Sequence, residues 1–301
     1  MKHLPKRTAK PRSNGLTMVM DKGLSLRQAE DMIEVGGPHI DLVKLGFGTS
    51  MVTPRVADKV RMYQQAGMEV YCGGTLFEAF YVRNDLKGYL KYVRGLGIDC
   101  IEISDGSMVI PHDEKCNLIA TLSKDFRVLS EVGSKEEGIL ISPNKWIRMM
   151  QNELAAGSWK VIAEARESGT VGIYRPNGSA HVQLIKRILA NVALEDILWE
   201  APKKPQQVWF IKQFGANVNL GNIGPEDIIP LETLRMGLRG DTFFEYLPER
   251  LASGKRQTSD DSDADDEDED GTALSGTRGE AGTESHQATS TRRKSAPVTE
   301  P

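Results

Sequence analysis

Four ionisable residues stand where a buried apolar run ought to continue: Lys44 in DLVKLGF, Glu102 in DCIEIS, Glu131 in FRVLSEVG and Glu164 in KVIAEAR. Charged side chains are seldom buried unless paired, so four of them in like positions need a reason beyond packing. More polar residues crowd the ends of these and similar runs: Asp21 and Lys22, Glu78, Asp105, Lys135, Arg166 and Glu167, Glu200, and the asparagines 217, 219 and 222. Carboxylates brought to one place repel unless a cation joins them. Oxygen donors suit a hard ion, and Mg²⁺ is the usual choice beside an anionic substrate. Lys22, Lys44, Lys135 and Arg166 would supply complementary positive charge, a mixture that fits a small, highly charged substrate. An internal salt bridge accounts for any one of these residues taken alone, and much less readily for the set.

The elements that must hold these residues repeat along the chain. Eight short apolar runs read as strands, centred near residues 19, 43, 70, 101, 129, 162, 198 and 218. Each gap holds a helix-like segment, over 25–35, 53–65, 84–94, 114–122, 143–156, 180–190, 205–214 and 225–236. Ser25 offers an N-cap, Pro54 a first-turn proline, and Gly67 and Gly95 stops. Eight strand–helix units predict an α/β fold of the (β/α)8 TIM-barrel type, spanning residues 16–251. Near-continuous apolar strands agree, because a parallel sheet is covered on both faces. A doubly wound open sheet is the other candidate, weakened by the lack of a glycine fingerprint after the first strand. In a barrel the C-terminal strand ends form one mouth, where active sites are built. Alternation puts Glu102 with Ser104, and Glu164 with Arg166, on common faces. Lys44, Glu102, Glu131 and Glu164 are therefore expected inside the barrel, near that mouth.

Glycine-bearing turns follow the strands: GFGTS (46–50), GGT (73–75), SDGS (104–107), EVGSK (131–135) and NLGNIG (219–224). Such turns let backbone amides approach an anion. The last precedes Pro225 and its helix, a usual place for a phosphate. HExxH, nucleophile-elbow and Walker sequences do not occur in the chain, so zinc-hydrolase, serine-hydrolase and P-loop chemistry lack support.

Composition is that of a globular protein, 39% hydrophobic and 27% charged. The formal net charge is −4, but residues 252–301 hold 12 acids and 6 bases, leaving the rest nearly neutral. A nucleic-acid partner is thus not expected. No apolar stretch approaches ~18 residues, so no membrane partner is expected either. Residues 1–15 carry five bases and no acid, without an apolar stretch, and read as a disordered basic arm rather than a secretory signal. Residues 252–301 read as a disordered acidic tail. Cys72, Cys100 and Cys116 lack CxxC spacing and read as buried hydrophobes of a reduced, cytoplasmic protein. Trp146, Trp159, Trp199 and Trp209 read as packing residues. The outer helices are compatible with a homo-oligomer.

The strings DKG (21–23), DLVKLGFGTS (41–50), GGTLFE (73–78), IEISDGS (101–107), EVGSK (131–135), EARESG (164–169), WEAP (199–202) and VNLGNI (218–223) together resemble phosphosulfolactate synthases. The resemblance covers about residues 16–247. It implies a TIM barrel and a Mg²⁺-dependent lyase that adds sulfite to phosphoenolpyruvate, giving 2-phospho-3-sulfolactate on a route to coenzyme M or sulfolactate. The chain is also similar to heat-stress-associated plant proteins. On this reading Glu102, Glu131 and Glu164 hold Mg²⁺, with Asp105 as a substitute. Lys135 delivers the proton as general acid. Lys22, Lys44 and Arg166 hold the anionic groups of the substrates, together with Asn219 and the backbone amides of Gly221, Asn222 and Ile223. Two other readings are another barrel lyase or aldolase acting on a phosphorylated acid, and a non-catalytic stress-related barrel.

Overall fold

Seven of the eight apolar runs form strands where expected, the eighth strand is displaced toward Ile223, and strands alternate with helices as the spacing requires. The computed structural model describes residues 1–133 and 142–252. In chain order the elements are β1 (Thr17–Asp21), α1 (Leu26–Gly36), β2 (Leu42–Leu45), α2 (Val56–Gln65), β3 (Glu69–Cys72), α3 (Gly74–Tyr81), α4 (Leu86–Gly95), β4 (Cys100–Ile103), α5 (His112–Leu122) and β5 (Arg127–Val132). There follow α6 (Pro143–Ala155), β6 (Lys160–Ala163), α7 (Val182–Leu189), β7 (Ile197–Glu200), α8 (Lys204–Phe214), β8 (Leu220–Ile223), α9 (Ile228–Arg235) and a last turn, α10 (Glu249–Ala252).

All ladders are parallel, in the order β3-β2-β1-β8-β7-β6-β5-β4. The eighth border, between β3 and β4, closes the (β/α)8 barrel without a registered ladder, although the two strands are neighbours. At the mouth this seam is bridged by a side chain: the amide of Gly74 donates to Glu102 Oε1 at 2.7 Å. A β-carbon on residue 74 would strike Ser104 Oγ and Glu102 Oε1. Glycine is therefore what lets the start of α3 approach β4.

Two apolar layers make the core. Leu16, Met18, Leu42, Tyr71, Cys100, Leu129, Ile162 and Leu198 fill the barrel interior. The other strand face packs against the helices, with Val43, Val70, Ile101, Val161 and Trp199 at its centre. Each fully buried aliphatic side chain contributes roughly 1.5–3 kcal/mol, so the interior plug is a substantial part of the stability. Trp146 and Trp199 are buried in the helix layer, as packing requires. Cys72 and Cys100 are buried free thiols, and Cys116 is partly exposed.

Local signals place most helix starts well. Ser25 caps α1 in a reciprocal box with Gln28. Three differences from the sequence expectation matter. First, the GGT turn opens an extra helix, α3, and α2 starts at Val56 rather than at the Pro54 turn because Arg55 is left-handed (φ 57°). Second, the 225–236 segment splits into a 3-10 turn, Pro225–Asp227, and α9. Third, the last strand runs through Leu220–Ile223 instead of 216–221. The Asn219 side chain explains that shift. It accepts from Leu16 N and donates to the carbonyls of Glu195 and Ile197, which fastens the starts of β1 and β7. Strand pairing then begins at Leu220, opposite Thr17 and Trp199.

The basic arm expected to be disordered lies along the N-terminal end of the barrel. Arg7 pairs with Glu232 at 2.9 Å and donates to Ala216 O and Asn217 Oδ1. Arg12 pairs with Asp41 at 2.8 Å, and Lys10 donates to the carbonyls of Gly37 and Ile40. The bases that marked the arm as solvated find acids and backbone carbonyls where the strands begin. The tail lies outside the described residues from 253 onward. Among the described residues no helix is long and apolar enough to cross a membrane.

Candidate functional site

The interior plug dictates where the charges stand. Leu42, Cys100, Leu129, Ile162 and Leu198 point into the barrel, and strand alternation returns the same face two residues later. Those positions are Lys44, Glu102, Glu131, Glu164 and Glu200. All five are buried and line a cavity of about 400 Å³ at the C-terminal end of the strands. An apolar floor is thus capped by one ring of charge. Below the ring, burial pushes the Tyr71 hydroxyl well above its ordinary pKa, and Glu102, Glu200 and Glu131 push it further.

Lys44 is the hub. Its Nζ is 3.1 Å from Glu102 Oε2, 3.4 Å from Glu200 Oε1 and 3.8 Å from Glu131 Oε2. Burial alone would discharge this lysine, but Glu102, Glu200, Glu131 and Glu164 outweigh it and raise its pKa well above 10.5. The ammonium is therefore permanent at neutral pH. Glu200 and Glu164 also organise the rim. Glu200 Oε2 accepts from the amide of Ala165 at 2.9 Å, and Glu164 Oε1 accepts from the amide of Arg166 at 2.5 Å. Arg166 has φ 54°, so the chain after β6 turns at an exposed arginine on the cavity wall.

Glu131, Glu164 and Glu200 each offer a carboxylate oxygen within 4.8 Å of the others. Three buried, all-oxygen donors so close suit a hard divalent cation such as Mg²⁺, which takes oxygen ligands at ~2.0–2.1 Å. A further donor lies at the same wall. Asn222 is 6% exposed and lines the cavity, and its Oδ1 is buried without a hydrogen-bond partner. It also stands at φ 56°, a conformation that asparagine tolerates better than most residues. The donor set fits the ion.

Not all of the residues expected at the mouth meet there. Glu102 faces Lys44 and the Gly74 amide rather than the carboxylate trio. Asp105 is turned toward α5, where Lys115 Nζ holds its Oδ1 at 2.9 Å. Lys22 lies on the outer rim in an exposed pair with Glu167 at 2.9 Å. Gly221 is inside the barrel with Met18 and Leu198 against it, and Ile223 is packed in the core of the helix layer. Asn219 is at the opposite end, as described above. The start of the following 3-10 turn carries Glu226 and Asp227, with the Glu226 carboxylate beside Gly224, a poor setting for an anion. Lys135 lies outside the described residues.

Several functional contacts were not assigned from sequence. Glu200 reads from sequence only as a polar strand end, although it follows Leu198 by two residues just as Glu131 follows Leu129. Glu78 sits on α3, where its carboxylate accepts from Ser104 Oγ and from the amide of Ser107 at 2.9 Å. Asp21 accepts from the amides of Gly23 and Leu24, from Tyr63 and from buried Lys59 at 2.7 Å, which fixes the DKG turn. Glu78 lies on α3 and Lys59 and Tyr63 on α2, helices whose apolar stripes give no hint of these contacts.

The known proteins most informative for this site are sequence relatives. The family described as (2R)-phospho-3-sulfolactate synthase (ComA) matches residues 5–241. Phosphosulfolactate synthase of Methanothermobacter thermautotrophicus is 43% identical over 244 residues, 79% of this chain and 95% of that one. Phosphosulfolactate synthase of Bacillus subtilis is 40% identical over 80% of this chain and 97% of its own length. Protein HEAT-STRESS-ASSOCIATED 32 of Arabidopsis thaliana is more distant, 22% identical over 76% of this chain and 88% of its own. The matched stretch, residues 5–241, spans all eight strands, and the chain belongs to the phosphosulfolactate synthase family.

Proposed function

We propose that this protein is a Mg²⁺-dependent lyase that joins sulfite to phosphoenolpyruvate, forming 2-phospho-3-sulfolactate. The observation that carries the reading is the buried trio Glu131, Glu164 and Glu200 beside Lys44 in the barrel mouth of a chain of this family. The sulfur lone pair of sulfite attacks C3 of the enol phosphate and the C3–S bond forms. The π electrons move toward C2 and the carboxylate, and a proton then adds at C2. No redox partner is needed, and the phosphate ester stays intact.

Glu131, Glu164 and Glu200 would hold the ion. When bound, Mg²⁺ supplies Lewis-acid stabilisation of the negative charge that develops beside C2. Lys44 keeps the carboxylates together and offsets part of their repulsion. Arg166, exposed at the rim, binds an anionic group of the incoming substrates. Asn222 orients the bound substrate through its carboxamide. Lys135, two residues beyond Gly133 in sequence, is the proton donor to C2. The buried floor of apolar side chains keeps water from beneath the reacting carbon.

The deciding experiment mixes purified protein with phosphoenolpyruvate, sulfite and Mg²⁺ and looks for phosphosulfolactate by mass spectrometry. Product is expected only when all three are present. Turnover of phosphoenolpyruvate without sulfite would point instead to another lyase or aldolase reaction. No turnover of any combination would sink the enzymatic reading. Lys135→Ala is expected to abolish product while leaving metal uptake intact; normal turnover by this variant would remove Lys135 as the acid.

A further inference from the structure

Outside the cavity the barrel buries a second cluster of charge, with Lys115 of α5 at its centre. Lys115 is fully buried, and its Nζ meets three oxygens: Asp105 Oδ1 at 2.9 Å, Glu153 Oε1 of α6 at 3.0 Å and the backbone carbonyl of Glu131 at 2.6 Å. The contacts to Asp105 and to the Glu131 carbonyl are hydrogen bonds, and the contact to Glu153 is an ion pair. Burial alone would lower the Lys115 pKa, but Glu153 and Asp105 reverse this and raise it.

The third contact falls on a strand that carries one of the mouth carboxylates. The carbonyls of Val128 and Val132 accept from Trp159 and Glu164 on the β6 side. By alternation the Glu131 carbonyl faces β4. The β4–β5 ladder, however, ends at Ile103 opposite Ser130, one residue short. A buried carbonyl without a donor is costly, and Lys115 is the donor where the ladder has run out. The same nitrogen ties down Asp105, just past the end of β4.

We propose that Lys115 is a positioning residue that fixes the Glu131 backbone, and through it aims the Glu131 carboxylate into the carboxylate trio. The proposal rests on the reading of Glu131 as a metal ligand. Asp105 and Glu153 share the counter-charge, so Lys115 keeps a carboxylate partner when Glu153 is neutralised.

The test compares Glu153→Gln, which keeps the Lys115 bonds to Asp105 and Glu131, with the double variant Lys115→Met/Glu153→Gln, which removes them without stranding the fully buried Glu153 carboxylate. Mn²⁺ alone is titrated into each protein and bound ion is read by electron paramagnetic resonance, alongside the thermal midpoint. The double variant is expected to bind Mn²⁺ about 10-fold or more weakly, the usual scale for loss of a group that orients a ligand. Glu153→Gln alone is expected to stay near wild type. Lys115→Arg, which keeps the charge but cannot set one nitrogen on all three oxygens, covers the case in which the double variant does not fold, and it too should bind weakly. Wild-type Mn²⁺ affinity in the Lys115 variants, or equal weakening in Glu153→Gln, would overturn the proposal. A wild-type protein that takes up no Mn²⁺ would instead strike down the metal reading itself, and the proposal with it.

Discussion

Lys44 Nζ lies 3.4 Å from Glu200 Oε1, although β1 and β8 separate β2 from β7 in the sheet. The contact spans the barrel interior rather than following a ladder. It exists because both strands put a charged residue two positions beyond an inward-facing leucine, Leu42 in one and Leu198 in the other. The mouth is therefore a single electrostatic unit, and changes at one strand should be felt at others.

The Lys44 ammonium should outlast any physiological alkalinity. Its folded pKa is raised above the ordinary 10.5. Its contribution to stability is thus complete below pH 10.5 and is lost as pH rises through the higher folded value. Lys44→Met should cost about 3–5 kcal/mol, because it leaves buried carboxylates without their cation. Urea denaturation at increasing pH should show a constant gap between wild type and variant up to 10.5, narrowing above it. An alkaline limb of the rate profile at lower pH would belong to another group.

The carboxylate trio should govern metal response. Glu164→Gln and Glu200→Gln keep size and remove a charged ligand. Each is expected to weaken Mg²⁺ activation by about 10-fold or more, with little change in thermal midpoint because repulsion in the ring is relieved. Chelation should abolish turnover of the wild type, and added Mg²⁺ should restore it. Steady-state rates against free Mg²⁺ give the answer directly; identical curves for wild type and both variants would exclude the trio.

Two substitutions separate the backbone of Asn222 from its side chain. Its φ of 56° costs glycine nothing and alanine about 1 kcal/mol. Asn222→Gly should keep the wild-type melting temperature but raise the KM for phosphoenolpyruvate, because the carboxamide with its unpartnered Oδ1 is gone. Asn222→Ala should show the same KM and also melt lower. Unchanged KM in both would confine Asn222 to a turn-forming role.

Acid should loosen the N-terminal arm. Burial would raise the Glu232 pKa, yet the Arg7 hydrogen bond and charge bring it below the ordinary 4.5. The pair therefore contributes its full stability above pH 4.5 and loses it as pH falls through the lower folded value. Arg7→Ala should destabilise by about 1.5–3 kcal/mol near neutrality, the scale of a hydrogen bond to a charged group. Chemical denaturation should show that this difference shrinks in acid. A difference that is flat with pH would mean that Arg7 acts through its carbonyl contacts instead.

Much of this architecture can be read from the chain because its signals are local. An apolar residue followed two positions later by a charge, as in Leu129 and Glu131, means the same face of the same strand wherever the strand lies. Ser25 and Gln28 announce the start of α1 within four residues. The eight repeats and the barrel follow from such signals. Asn219 and Asn222 show where they fail. Both are asparagines in one run, yet one fastens the barrel's base and the other lines its mouth. Only the pairing of Leu220 with Thr17 and Trp199 separates them, and pairing register is a property of three strands.

The sequence by itself determined that eight strand–helix units would gather Lys44, Glu102, Glu131 and Glu164 at one end, because backbone alternation and helix periodicity need no distant partner. Tertiary structure decided which charge meets which. Closure set Glu200 beside Glu131 and Glu164, turned Glu102 to Lys44, drew Asp105 away to Lys115, and gave the basic arm its acids. Those outcomes depend on electrostatic and hydrogen-bond complementarity across tens to hundreds of residues, which comes into being only when the sheet curls shut.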